Sequence, residues 1–406
     1  MANDLTLTNL AEDIYVAADT VGREAVGLIP SVTMNAQSTQ ASIGDTIKAA
    51  VTAEAPAFVN IDNGFMSVPE GTTQEITADT FQLTNAKAVQ IPMGAEKELQ
   101  LRNNGQYDTV YGDLIQQAMR KLTNQMEADL GTELKKNAAY ASGVAGTTPF
   151  VVGGATESGV EELAIARKVL LDSGCPMSDG ELSLVVNSSA GVNLRNNLNL
   201  LSANTSGTTD MRTQGILIDL LGAKVRESAG ISLHTAGTAA GTGLIDAIDA
   251  IGATSIVIND LNDGVTILAG DVMSTATGLA GGATEDILPV VSADLTAGNA
   301  GSGANALTAV LNAGLKRATA NDEAPTFANY TPSFLFHRNA IELAMRAPAT
   351  PAGGDAADDA IIVQDPHSGL VFEIRIYKGY RKSMIEVAAV WGVKAWKSDF
   401  IHTIMG

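Results

Sequence analysis

Over residues 107–143 the chain reads YDTVYGDLIQQAMRKLTNQMEADLGTELKKNAAYASG, and Tyr111, Ile115, Met119, Leu122, Met126, Leu130 and Leu134 recur in steps of three or four. That spacing lays one apolar stripe along a helix and predicts that the stripe is buried. Asp108 is placed to cap the start, Lys135 and Lys136 suit the negative end of the helix dipole, and Gly143 follows the last turn. About thirty residues at ~1.5 Å each make a rod of roughly 45–50 Å, several times the mean helix length. Gly112 and Gly131 inside it, and the lack of sustained heptads elsewhere, favour a spine for an extended subunit over a coiled coil.

The rest of the pattern is shorter in range. Residues 1–52 carry a weak helical repeat in Leu10, Ile14, Val16 and Ala17 that breaks at Gly27 and Pro30, and are expected to form an N-terminal arm. From Thr46 to Glu98, alternating apolar positions, among them Phe81, Leu83, Val89 and Ile91, predict a long β-hairpin. It is assigned as an extended loop over 53–98, with the acidic stretch NIDNGFMSVPEGTT as its tip. The long helix belongs to a peripheral unit over 99–156. Ser158 and Glu161 stand at capping-box spacing ahead of Leu163, Ala166 and Leu170, which predicts a second helix ended by Gly174 and Pro176. Leu182, Leu184 and Val186 alternate as a strand, with another near Val225, in a unit over 157–235. Residues 236–327 set short β-like runs, such as TSIVIND and GVTILAGDVMSTA, between glycine-rich links, the pattern of a small β-rich insertion. Residues 328–406 resume with PSFLFHRNAIELAM and close on a hairpin that carries Phe372, Ile374 and Ile376, then Ile385, Val387 and Ala389, around a turn at Gly379. The class is α+β, with no repeat of fixed period.

A chain of 406 residues that is 45% hydrophobic can bury one or two packed cores. It has no run of eighteen apolar residues, and its first twenty residues lack a basic stretch leading into an apolar one, so neither membrane insertion nor secretion is expected. The single cysteine, Cys175, rules out an intrachain disulfide framework and fits a reducing cytoplasm. A net charge of −20, from 25 basic and 45 acidic residues, argues against a general nucleic-acid binder. The signs are unevenly spread: residues 1–75 hold ten acidic and two basic residues, whereas the last 37 hold six basic and three acidic. Such asymmetry can organise contacts between copies.

Candidate chemistry is sparse. His234, His337, His367 and His402 are not spaced as zinc ligands on one helix, and they read as ordinary surface or core histidines. GTAAGTG lacks the strand-then-helix context of a phosphate loop, and in NDLNDG, Leu261 and Gly270 stand where calcium ligands belong. GGDAADDAIIVQD reads as a solvated acidic loop before a strand, with a weak divalent-cation site as the other reading. No catalytic residue, metal or cofactor is assigned. In RIYKGYRKS, Arg375, Lys378, Arg381 and Lys382 interleave with Tyr377 and Tyr380, which suits either stacked bases with phosphates or a hairpin turn facing solvent or a partner. On the second reading these four residues are candidate contacts to acidic surfaces of neighbouring subunits.

The segment ELQLRNNGQYDTVYGDLIQQAMRKLTNQMEADL, from Leu99-Gln100-Leu101-Arg102 to Arg120-Lys121-Leu122-Thr123-Asn124, resembles the helix-entry and spine segment of coat proteins from short-tailed double-stranded DNA phages. FLFHRNAIELA and IEVAAVWGVKAW resemble strands near the end of the same family. The resemblance implies the Hong Kong 97-like capsid fold: an N-terminal arm, an extended loop, a peripheral domain with the spine helix, and an axial domain that in some members carries an inserted β-barrel where 236–327 lies. It implies a major capsid protein, made in the bacterial host cytoplasm and found in the virion capsid, whose copies close as hexamers and pentamers into an icosahedral shell. It further implies a scaffolding protein, a portal protein and, in some members, a decoration protein as partners. The shell would enclose DNA without sequence-specific binding and without a membrane. Two other readings stay open: an encapsulin-like nanocompartment of the same fold, and a hydrolase with a dispersed active site, against which the scarcity of histidine stands.

Overall fold

The apolar stripe of the long helix decides where the other elements pack. The computed structural model describes residues 7–52, 76–105, 107–151, 159–197, 200, 215, 217, 219–239, 243–275, 287–298, 300–301 and 304–406. Its helices are α1 (Leu7–Glu24), α2 (Ala95–Asn103), α3 (Tyr107–Asn137), α4 (Glu161–Asp172) and α5 (Ser188–Asn196). Along the 31 residues of α3, Tyr111, Ile115, Met119, Met126 and Leu130 are 0% exposed and Leu122 is 3% exposed. Asp108 falls inside the first turn of α3, not at its cap, and its side chain lies outside the described residues.

Two mixed six-stranded sheets lie in this fold. In the first, Thr33–Ala41 runs parallel to Ile341–Pro348, followed in order by Lys382–Ala395, Val371–Gly379 and Ala357–Gln364. Asn85–Gly94 also pairs with Lys382–Ala395, antiparallel from Lys382↔Gly94 to Trp391↔Asn85. The second sheet takes Leu288–Pro289, Tyr140–Gly143, Ile401–Met405, Pro332–His337, Leu182–Val186 and Lys224–Glu227 in that order. One large core joins the α3 stripe to both sheets, through Phe372, Ile374 and Trp391 of the first and Phe334 and Phe336 of the second. A second core under α4 and α5 packs Leu163, Ala166 and Leu170 on the other side of the second sheet, against Leu184 and Leu335.

The arm expected over 1–52 is divided differently. α1 folds back on α3 with Leu7, Leu10, Ile14, Ala17, Ala18 and Val21 buried, so Val16, placed on the apolar face by the repeat, stands 61% exposed on the other side. The two helices approach at Gly112, where a Cβ would lie 3.3 Å from Asp13 Cβ. The strand Thr33–Ala41 then enters the main sheet.

The predicted long hairpin is also redrawn. Thr46–Thr52 pairs with Ile76–Gln82, while Asn85–Gly94 leaves to pair with the C-terminal strand and residues 95–103 form α2. The reason lies at the base: Gly44 N–H donates to Leu83 O and Leu83 N–H to Asp45 O, which closes the hairpin and frees the following alternation for another partner. The predicted tip lies outside the described residues. So does Ser158; Val160 takes the N-cap position of α4 without a side-chain cap. α4 ends with Gly174 N–H on Leu171 O and Cys175 N–H on Leu170 O, the Schellman pattern that the positive φ of Gly174 (79°) permits.

Within 236–327, a core of its own gathers Ile245, Ile256, Ile258, Leu261, Ile267 and Ala309. Its neck is closed by the bridge between His234 and Tyr330, and Leu288–Pro289 returns to pair with Tyr140 and Ala141 of the second sheet. The first half of NDLNDG ends the strand Ser255–Leu261 and its second half makes the turn, with Asp263 Oδ1 accepting from Gly301 N–H and Asn305 Nδ2.

Candidate functional site

The long helix has a second, polar side, and its carboxylates reach four separate parts of the chain. Glu127 Oε1 accepts from Leu28 N–H at 2.6 Å and from Ser228 Oγ at 3.0 Å, fastening the end of the arm and the second sheet at one atom. This needs Gly27, because a Cβ there would lie 1.9 Å from Glu127 Oε1. Asp129 Oδ2 accepts from Asn85 Nδ2 at 3.1 Å and Trp391 Nε1 at 2.9 Å, holding the two paired strands Asn85–Gly94 and Lys382–Ala395. Glu133 accepts from Ala395 N–H, and burial raises its pKa. Arg120 forms a two-pronged ion pair with Glu24 at the end of α1, which lowers the Glu24 pKa chiefly through that hydrogen bond. The helix thus works as a strut tied to arm, hairpin base and sheets together.

The four basic residues of the C-terminal hairpin separate into two groups. Arg375 is buried, bonded to Glu373, Asp355 and Thr350, and Glu373 is the largest influence holding its guanidinium further toward the charged form. Lys378 pairs with Asp358 at 2.8 Å. Arg375 is thus taken up by the acidic run of its own chain, which corrects its assignment as a contact to a neighbouring subunit, while Lys378 keeps 46% of its side chain exposed beside Asp358. GGDAADDAIIVQD is an exposed loop leading into a strand, as expected, but the strand begins at Ala357 and takes in Asp358 and Asp359. Ala357–Gln364 is a strand whose register, Ala357↔Tyr377, brings Asp355 and Asp358 beside Arg375 and Lys378. Arg381 and Lys382 are exposed at the tip beside Tyr380, which is 91% exposed. Arg381 there adopts φ 52°, a left-handed conformation uncommon for a side chain of its kind.

Three of the four histidines sit in structural pairs that their spacing did not suggest, while His367 is exposed. His234 Nε2 lies 2.7 Å from the buried Asp271, whose carboxylate also accepts from Gly237 N–H and Leu268 N–H, while Tyr330 packs against the imidazole and donates to Gly270 O. Together they tie the neck of the insertion. His337 Nδ1 accepts from Asn339 N–H, so its Nε2 donates to Asp179 at 2.8 Å. His402 Nε2 lies 2.9 Å from Ser142 Oγ, the arrangement of a nucleophile and base, yet both are buried, and Nδ1 meets no carboxylate among the described residues. Burial lowers the His402 pKa to about 3. A base that stays unprotonated but is sealed from substrate has no catalytic geometry. Cys175 is buried, and burial pushes its thiol up to about 11, the reverse of an activated nucleophile. Among the described residues no three His, Cys, Asp or Glu side chains gather as metal ligands, and no helix is long and apolar enough to cross a membrane.

Neither a family model nor a curated protein matches the chain. Among solved structures it is similar to a chain of the capsid of the cyanophage P-SCSP1u, at 9% identity over 94% of this chain and 88% of that one, with a TM-score of 0.47. It is likewise similar to a chain from Mycobacterium phage Che8 (14% identity, 89% and 84% covered, TM-score 0.43). A third likeness is to the virus-like particle from Pyrococcus furiosus (8% identity, 97% and 98% covered, TM-score 0.43).

Proposed function

We propose that the chain is a structural shell subunit, the major capsid protein of a tailed double-stranded DNA phage, with the Hong Kong 97-like arrangement that its spine segment resembles. The observation that carries this reading is the hairpin Thr46–Thr52/Ile76–Gln82. It is anchored at its base, where Phe81 and Leu83 pack on Ala344 and Val390 and Phe81 meets Trp396 edge-on at 5.5 Å, and among the described residues its strands pair only with each other. A lone two-stranded ribbon is marginal in water. It acquires a purpose if it lies on a neighbouring copy, and the strut-like α3 then transmits load between the arm, the ribbon and both sheets. The exposed tip at Tyr380, Arg381 and Lys382 supplies a second contact of opposite sign to the acidic residues 1–75.

On this reading the copies close as hexamers and pentamers, with a scaffolding protein and a portal as partners and short-tailed phages as the nearest setting. The region 236–327 is the inserted domain. The divisions 1–52, 53–98, 99–156, 157–235 and 328–406 describe roles in the shell, although the backbone pairing crosses them. The test is assembly: light scattering and electron microscopy of the purified chain, alone and with its scaffolding partner, should show closed particles of megadalton mass. Stable monomers under both conditions would end the proposal. An encapsulin-like shell would assemble without a scaffold and carry no portal at one vertex.

A further inference from the structure

Where α1 and α3 run side by side, a groove of about 190 Å³ opens between them on the outer surface. Asp13, Val16 and Thr20 line it from α1, and Asp113 and Gln116 from α3. Gly112 keeps it open, since a Cβ there would stand 3.3 Å from Asp13 Cβ. The rim is apolar and acidic together. Tyr15 and Val16 are 53% and 61% exposed, and Glu12, Asp13 and Asp113 take part in no side-chain hydrogen bond or ion pair among the described residues. Arg120, the cation whose charge reaches Asp113, is already held by Glu24. The tip of the C-terminal hairpin has the complementary character. Tyr380 is 91% exposed, and the side chains of Arg381 and Lys382 beside it meet no carboxylate among the described residues. The turn itself is fixed, with Lys382 paired to Gly379 and Arg381 O accepting from Ala95 N–H.

We propose that the α1–α3 groove receives the hairpin tip of a second copy of this chain, with the Tyr380 ring laid on Val16 over Gly112 and Arg381 and Lys382 set against Asp13 and Asp113. A tyrosine brings apolar area and a polar end to such a site, and carboxylates with no partner of their own select basic neighbours. The volume suits one aromatic ring, not a helix or a strand. A turn already fixed by its own hydrogen bonds loses little freedom on docking. Each copy carries both a tip and a groove, so the contact is head-to-tail, the kind that closes into rings or runs on as an open array. The inference rests on the shell reading for the presence of many adjacent copies, and it gives the basic tip a specific address.

Its test is disulfide trapping in the full chain, whose own Cys175 is buried. With Gln116→Cys and Tyr380→Cys in one chain, air oxidation should join position 116 of one copy to position 380 of another, read as covalent oligomers and a linked peptide in mass spectrometry. Val192→Cys with Tyr380→Cys, where Val192 is 61% exposed on α5, should stay unjoined. Adding Arg381→Glu with Lys382→Glu to the first pair should slow trapping about tenfold, and adding Asp13→Lys with Asp113→Lys as well should restore it. No trapping at 116, equal trapping of the control pair, or a failure of the exchanged charges to restore it in folded protein would overturn the contact. Electron microscopy of the same samples separates the two readings. Trapped oligomers without closed particles would end the shell reading and leave the contact standing, whereas closed particles without trapping would do the reverse. The cysteine pairs decide the matter alone if the charge variants fold poorly, because Gln116, Val192 and Tyr380 lie outside the core.

Discussion

Two hairpins of similar local design meet opposite fates in this molecule. The C-terminal one, Val371–Gly379/Lys382–Ala395, lies inside a sheet, with further strands bonded to both of its sides and Phe372, Ile374, Val387 and Trp391 fully buried. The N-terminal one, Thr46–Thr52/Ile76–Gln82, touches the body at its base and, among the described residues, otherwise pairs with itself. Alternation of apolar residues makes a strand; burial on a second layer makes it stable. The first hairpin draws that second layer from α3, and the second, on the shell reading, draws it from a neighbouring copy.

Substitutions should therefore separate folding from assembly according to which hairpin they touch. Trp391→Ala removes a fully buried ring and the donor to Asp129, and should cost about 3–5 kcal/mol, read as a lowered denaturation midpoint. A cost near zero would mean that the C-terminal hairpin is not part of the core.

Acid offers a graded version of the same loss. His402 is buried and uncharged, with its pKa lowered to about 3, so below pH ~6.5 the unfolded chain binds a proton that the folded chain refuses. Its contribution is fully present above ~6.5 and falls by up to about 1.4 kcal/mol per pH unit down to about 3. Urea titrations across that range should show a slope one proton shallower in His402→Gln than in the unmodified chain. Parallel slopes would place His402 in contact with water.

Between the two hairpins lies their junction. Gly392 sits under the base of the N-terminal hairpin, where a Cβ would be 2.6 Å from Gln82 O, so Gly392→Ala forces backbone apart. A loss of about 1–3 kcal/mol is expected, with faster hydrogen exchange in Ile76–Leu83 but not in Ile401–Met405. Uniform acceleration would show that the ribbon and the body open together.

The smallest effects on folding should accompany the largest on assembly. Deleting residues 61–72 should change stability by less than about 0.5 kcal/mol while preventing closed particles from forming. Arg381→Glu with Lys382→Glu should be equally silent in melting and should reduce particle yield, because both side chains are exposed at the tip. Arg375→Glu, by contrast, should behave as a folding mutation, leaving like charges beside Glu373 and Asp355.

The stripe on α3 was legible in the sequence because a period near 3.6 persisted from Tyr111 to Leu134 and had one interpretation, a buried face. The strands holding Val185, Phe372 and Val387 were legible for the same reason at period two. Their partners were not. Val89 and Ile91 announce a strand, but alternation carries no address, and whether Asn85–Gly94 turns back on Ile76–Gln82 or crosses to Lys382–Ala395 depends on where the chain closes at Asp45 and Leu83.

Charge behaved likewise. The basic run around Arg375 and the acidic run from Asp355 are both plain in the sequence, yet only the Ala357↔Tyr377 register brings them together. That register turns Arg375 from an apparent surface contact into a buried ion pair, sets the exposed Lys378 beside Asp358, and leaves Arg381 and Lys382 outside. The reach of Glu127 to Leu28 and Ser228, and the pairing of His234 with Asp271, join residues from 37 to 101 positions apart. Local chemistry along the chain determines which elements form and which faces are apolar. Which strand meets which, and which charge is spent at home, is decided by long-range packing, because a hydrogen bond or an ion pair acts over a few ångströms and has no dependence on sequence distance.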